Sequence, residues 1–108
     1  MSEDYISQKR AELGDKLKGV LGTTNVYFEP PESVKLNYPC IVYERSDGDT
    51  DFANNLPYRF QMRYRVTAIS RKADNPVIGK LAMSLPSIQY SRHFVSDGLH
   101  HDVFEVYY

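Results

Sequence analysis

Three histidines and an aspartate near the carboxyl end have side chains suited to metal binding: His93, His100, His101 and Asp102. Protein metal sites usually need three or four such ligands around one ion. His100 and His101 are neighbours on a predicted strand, and successive strand side chains point to opposite faces of a sheet. Only His93 and His100 could meet, across a hairpin, and two ligands make a poor site. We therefore expect no metal site.

Cys40 is the strongest candidate nucleophile in the sequence. It begins the apolar segment Cys40–Glu44, and an apolar environment raises the pKa of a thiol and makes it unreactive. No serine lies in a nucleophile-elbow sequence, and no glycine-rich loop precedes a helix as phosphate binding requires. Because Cys40 is the only cysteine, an internal disulfide is excluded. The sequence therefore predicts neither an enzyme nor a bound cofactor.

The acidic segment Ser46–Pro57 carries Asp47, Asp49 and Asp51 and no basic residue. Its start resembles part of a calcium-binding loop, but Tyr58 occupies the twelfth position, where such loops place a bidentate glutamate. We therefore do not expect calcium binding. The segment is too long for a tight hairpin, and we predict a loop of the size that is usually either functional or mobile.

The longest element predicted from the sequence is a strand over Tyr58–Ser70. Its side chains alternate between two kinds, and alternation places them on opposite faces of a sheet. Such a strand spans roughly 43 Å, which is long for a small domain. One face is therefore predicted to pack in the core, whereas the other is cationic. The predicted core face carries Tyr58, Phe60, Met62, Tyr64 and Val66, and the cationic face carries Arg59, Arg63 and Arg65.

Two interpretations of the cationic face remain open. In the first, the arginines are solvated or form weak ion pairs within the chain, each contributing about 0–1 kcal/mol. In the second, they contact the acidic segment of another copy, and such head-to-tail contacts can close into a ring. Nucleic acid fits less well, because the net charge is −1 and no aromatic residue lies among these arginines on their face. The interface residues of the second interpretation are Asp47, Asp49, Asp51, Arg59, Arg63 and Arg65.

The whole chain of 108 residues is predicted to form a single α+β domain. The predicted order is α-β-β-β-α-β-β, in which two helices cover one face of a mainly antiparallel sheet. Capping signals at Ser2 and at Asn75-Pro76 open the two helices, and Asp97-Gly98 is a hairpin turn signal. The predicted helices end at Gly22 and Leu85, and the other strands cover Asn25–Phe28, Cys40–Glu44, Ser87–Ser96 and His100–Tyr108.

Composition places the chain among globular proteins, with 42% hydrophobic and 25% charged residues. No apolar run approaches the roughly 18 residues that a membrane span needs, and the charged amino-terminal segment lacks a signal-peptide core. We therefore expect no membrane partner. The sequence contains nine tyrosines and no tryptophan. Tyrosine is suited to surfaces that are partly apolar and partly solvated, which include protein interfaces.

Four segments resemble the small tail-terminator (tail-completion) proteins of long-tailed phages. They are VYFEPPESVKLNYPCIVYER, DFANNLPY, YRFQMRYRVTAISRKADNP and SRHFVSDGLHHDVFEVYY, and the likeness covers about residues 26–108. The more distinctive motifs within them are PP…YPCIVY, ADNP and DGLHHDVF…YY. None of these is a catalytic signature, so the resemblance implies a structural protein of the virion.

Proteins of that family form a hexameric ring on the last ring of tail-tube subunits, stop tube polymerisation and offer the surface that joins the head or neck. The resemblance therefore implies three protein partners: further copies of this chain, a tail-tube protein and a neck or connector protein. DNA would pass through the lumen without sequence-specific binding. The implied location is the tail or neck of the virion, assembled in the host cytoplasm.

A head-side neck or connector protein, which joins head to tail, is the alternative that the same likeness leaves open. Its loss would leave length-controlled tails but unattached heads, whereas loss of a terminator would leave tails of uncontrolled length. In either case a cationic lumen would retard DNA. We therefore expect the arginine face to be paired with acids at a subunit boundary.

Overall fold

The computed structural model describes residues 3–53 and 56–108. The elements follow the predicted order, which confirms an α+β fold with a mainly antiparallel sheet. In chain order they are α1 (Glu3–Leu21), β1 (Val26–Phe28), β2 (Cys40–Ala53), β3 (Leu56–Ser70), α2 (Val77–Ala82), β4 (Gln89–Ser96) and β5 (Leu99–Tyr107).

The five strands form one sheet in the order β1-β2-β3-β5-β4. The pairs β2–β3, β3–β5 and β4–β5 are antiparallel, whereas β1 runs parallel to β2 with Val26 beside Ile41. The parallel pair was not predicted. It arises because the chain between Phe28 and Cys40 returns to the end of the sheet at which β1 starts, so that β2 runs in the same direction. The sheet is therefore mixed.

Both helices pack on one face of the sheet, as predicted. The alternation in β3 sends Tyr64, Val66 and Ala68 towards the helices, and all three are fully buried. Across the core, α1 contributes Leu13 and Leu17 from its predicted apolar stripe. The remaining buried members of this core are Ile41, Tyr43, Val77, Leu81, Phe104 and Val106. Burying each large apolar side chain stabilises the fold by about 1.5–3 kcal/mol.

The prediction of a loop over Ser46–Pro57 is wrong, because β2 continues to Ala53 and pairs with β3 as far as Leu56. Asp, Gly and Asn are typical of turns, but pairing with a long neighbouring strand overrides that local preference. A register shift between Arg45 and Asp47 absorbs one extra residue.

The paired segments 47–53 and 56–62 form a two-stranded projection that we call the arm. The register of β5 against β3 begins at Tyr107, opposite Arg63, so the arm extends past the end of the β5 ladder. Its presence explains the elongated shape of the domain, which measures 50 × 25 × 23 Å. An isolated two-stranded hairpin is at best marginally stable in water. The arm is therefore an element that gains from contact with another surface.

Most of the other predicted boundaries agree with the structure to within a few residues. Asn75 caps α2, since its Oδ1 accepts a hydrogen bond from the Val77 backbone N–H at 3.1 Å. The second helix ends at Ala82, three residues before the predicted end at Leu85. Asp97 and Gly98 have φ of 52° and 74°, the left-handed conformation expected of a tight hairpin turn. The predicted cap Ser2 lies outside the described residues.

Candidate assembly surfaces

A row of ion pairs covers part of the sheet face opposite the helices. Arg63 Nη2 lies 3.3 Å from Asp47 Oδ2, and Arg65 Nη1 lies 3.3 Å from Glu44 Oε1. Between the two arginines, Glu105 on β5 places one carboxylate oxygen 3.6 Å from Arg63 Nε and the other 3.5 Å from Arg65 Nε. The predicted cationic face is thus charge-balanced at these two arginines within a single chain.

These pairs support the first interpretation of the arginines, that of ion pairs within the chain. The sequence prediction missed Glu44 and Glu105, which strand register places directly opposite Arg65. Both glutamates lie on strands that the sequence predicted to join the sheet. Matching them with the arginines also requires the strand order, which could not be read from the sequence. Because the side chains remain partly exposed, each pair contributes about 0–1 kcal/mol.

The six residues predicted at a subunit interface are only partly brought together by the described structure. Asp47 contacts Arg63, and Arg65 is paired with Glu44 instead of with an aspartate of the acidic segment. The backbones of Asp51 and Arg59 are register partners. The side chains of Asp49, Asp51 and Arg59 lie outside what the structure describes. Contact of these residues with a second copy stays a prediction.

The strand β4 is exposed over its whole length, which the sequence did not indicate. All eight residues from Gln89 to Ser96 are solvent-accessible. Within the described residues its backbone pairs only with β5, so its outer edge presents free hydrogen-bonding groups. Such an edge is a template for the addition of another strand.

Exposed apolar side chains are concentrated on β4 and on the arm. Of the eight large hydrophobic residues that the structure shows as exposed, three lie on β4 and two on the arm. Clusters of exposed apolar side chains on a protein surface often mark the places where a partner binds. The five residues and their exposed fractions are Tyr90 (48%), Phe94 (38%), Val95 (54%), Leu56 (69%) and Phe60 (41%).

Tyr90 is held in place although half of it is exposed. Its hydroxyl donates a hydrogen bond of 2.7 Å to Oδ1 of Asp102, a buried carboxylate on β5. This hydrogen bond raises the pKa of Tyr90, since the neutral phenol is the donor. Its ring meets Phe104 edge to face, with centroids 5.2 Å apart. A rigid aromatic side chain of this kind loses little entropy when a partner covers it.

The histidines lie on the β4–β5 hairpin as the sequence predicted. His93 Nε2 and His100 Nδ1 are 3.0 Å apart, while His101 stacks on Phe94 on the opposite face, with centroids 4.5 Å apart. Among the side chains that the structure describes, no three from histidine, cysteine or acidic residues converge as metal ligands. The histidine rings of the hairpin therefore lie in two pairs, His93 with His100 and His101 with Phe94.

Cys40 is buried at the start of β2, where the sequence placed it. Burial raises the pKa of its thiol from 9.0 to about 11. The thiol is therefore protonated at neutral pH. A protonated, buried thiol is a poor nucleophile, so Cys40 fits a packing role.

A scan against protein-family models gives no match, and a search of curated proteins gives none either. Among the helices that the structure describes, none combines the length and apolar character needed to cross a membrane.

Proposed function

We propose that this chain is a structural subunit of a phage tail terminator, a ring that caps the tail tube and provides the surface for joining the head or neck. The concentration of uncovered apolar side chains on β4 and the arm carries the proposal. Both elements also have unpaired backbone edges within the described residues. A domain with two such surfaces is suited to join copies of itself, and the sequence likeness supplies the biological setting.

The proposed mechanism operates through interfaces instead of through a catalytic centre. Contacts between subunits close the ring, one face of the ring meets the last tube subunits and ends polymerisation, and the other meets the neck. Arg63 and Arg65 already have acidic partners within the chain. If the open sheet face lined the lumen, these paired charges would hold DNA less strongly than free arginines would.

The decisive biological experiment is the removal of this protein from the phage that encodes it, followed by electron microscopy of the particles. We expect tails of variable and excessive length, which no longer join heads, and recovery of uniform length when the intact gene is returned. Tails of normal length with unattached heads would instead identify the head-side neck or connector protein. Normal, infectious particles would contradict both functions.

A further inference from the structure

We propose that the ring subunits are joined by a shared β-sheet, in which the arm of one copy adds to the outer edge of β4 in the next copy. This inference rests on the proposed ring function and specifies its contact. Each copy would use two different surfaces, so the contact is head-to-tail and can propagate around a closed ring. The occupant of the exposed β4 edge is therefore a second copy of the same chain.

The β3 side of the arm is the side suited to strand addition. On the β2 side the sequence places Asp47, Asp49 and Asp51, and charged residues along an edge oppose pairing with another strand. The β3 side carries a single charged residue, Arg59, together with the exposed Leu56 and Phe60. Because Pro57 has no N–H, pairing is confined to the backbone between Tyr58 and Gln61.

Hydrogen-bond geometry shows which backbone groups of β3 point outward. The Tyr108 N–H donates to the Met62 carbonyl at 2.9 Å, so Met62 directs its backbone groups towards the β5 side. These directions alternate along a strand. Phe60, two residues away, therefore directs its N–H and C=O to the same side, past the end of β5. Its backbone is available to a new strand without any loss of pairing to β2.

The same reasoning identifies the free groups of β4. Ser96 and Leu99 flank the two-residue turn and form its closing pair, which in such hairpins is the hydrogen-bonded pair. Alternation from Ser96 then turns the backbone groups of Val95 and His93 away from β5. Their N–H and C=O groups point to the empty side of the strand.

Charge favours pairing of the arm with β4 over pairing of β4 with itself. The arm segments 47–53 and 56–62 contain three aspartates and one arginine, whereas β4 contains Arg92 and no acid. Asp47 is already paired with Arg63 of its own chain, which leaves two aspartates and one arginine on the arm, so the two surfaces carry opposite net charges and attract each other weakly. Pairing of two β4 strands would bring Arg92 of each copy to the same interface and leave both arms uncovered. The anchored ring of Tyr90 supplies an ordered apolar contact for the arm.

Proline substitutions at outward-pointing positions test the contact with little disturbance of the fold. Val95→Pro on β4 and Phe60→Pro on the arm each remove one outward N–H, and Val95→Ala and Phe60→Ala are matched controls that keep it. We expect each proline variant to weaken assembly at least about tenfold relative to its alanine control, because a partner carbonyl is left unpaired. The readouts are native mass spectrometry of purified protein and incorporation into particles, with circular dichroism as the folding check.

Mixing the two proline variants separates the possible contacts. Val95→Pro keeps an intact arm and Phe60→Pro keeps an intact β4, so an equal mixture should form heterodimers that cannot grow into rings. A contact between two β4 edges predicts instead that Phe60→Pro assembles normally and that the mixture gives no heterodimer. That result would overturn the proposal.

Failure of this inference is distinguishable from failure of the proposed function. If the wild-type protein forms rings or controls tail length while both proline variants match their alanine controls, the shared sheet is wrong and the terminator function stands. If particles that lack the wild-type protein are normal, the proposed function itself is wrong, whatever the variants do.

Discussion

Replacing Tyr64 by alanine is expected to remove a large part of the free energy of unfolding, whereas replacing Phe60 should lower it much less. Both aromatic residues lie on the helix-facing side of β3. Tyr64 is fully buried in the core, and truncation of a buried aromatic side chain costs about 3–5 kcal/mol, a large part of the 5–15 kcal/mol that holds a typical domain together. Phe60 is 41% exposed on the arm, so its truncation should cost only about 1–2 kcal/mol.

Urea denaturation followed by circular dichroism measures this difference. Tyr64→Phe is the matched control: the Tyr64 hydroxyl is buried and has no hydrogen-bond partner among the described residues. Its removal should therefore leave the free energy of unfolding unchanged or raise it by about 1 kcal/mol. Equal destabilisation by Tyr64→Ala and Phe60→Ala would contradict the division of β3 into a core segment and an arm.

Shortening the arm is expected to abolish assembly while the monomer stays folded. The design replaces residues 50–60 by Asn-Gly, so that Asp49 and Gln61 close a new turn. The outward direction of the Met62 carbonyl makes Asp49 and Gln61 a hydrogen-bonded pair, which a two-residue turn requires. The new turn lies beyond the ladder between β3 and β5, so the core is untouched.

Native mass spectrometry and urea denaturation together test the shortened protein. We expect monomers only, a urea midpoint close to that of the wild type, and no incorporation into particles. Met83→Ala serves as a control, since Met83 is the most exposed large apolar residue among those whose burial the structure describes, and it lies outside both β4 and the arm. Rings that form from the shortened chain would show that the arm is not the contact. Loss of rings by Met83→Ala as well would show that the effect is not specific to these surfaces.

Much of the fold could be predicted from local patterns. Alternation in β3 correctly assigned the burial of Tyr64 and Val66, because a half-buried strand forces a period of two. The same pattern misplaced Phe60 in the core, since alternation does not reveal where a sheet ends. The prediction missed the extension of β2 to Ala53 because it relied on the turn-forming residues of the acidic segment. The signal available in the sequence was the length of β3, since a long strand needs an equally long partner.

The candidate surfaces were harder to predict than the fold. The histidine pair followed from hairpin geometry alone. The acidic partners of Arg63 and Arg65 depend on strand order, which brings Glu44 and Glu105 to either side of β3. The exposure of β4 depends on how far the two helices cover the sheet. Strand order and helix coverage are long-range properties that no local pattern encodes.

Amide hydrogen exchange on the wild-type protein, compared between monomer and assembled ring, tests the central claim most directly. The shared sheet predicts that exchange slows at least about tenfold on assembly for Phe60, His93 and Val95, whose N–H groups gain partners. Amides already bonded in the core strands should change little. Unchanged exchange at these three positions, with protection appearing elsewhere on the ring, would contradict the claim.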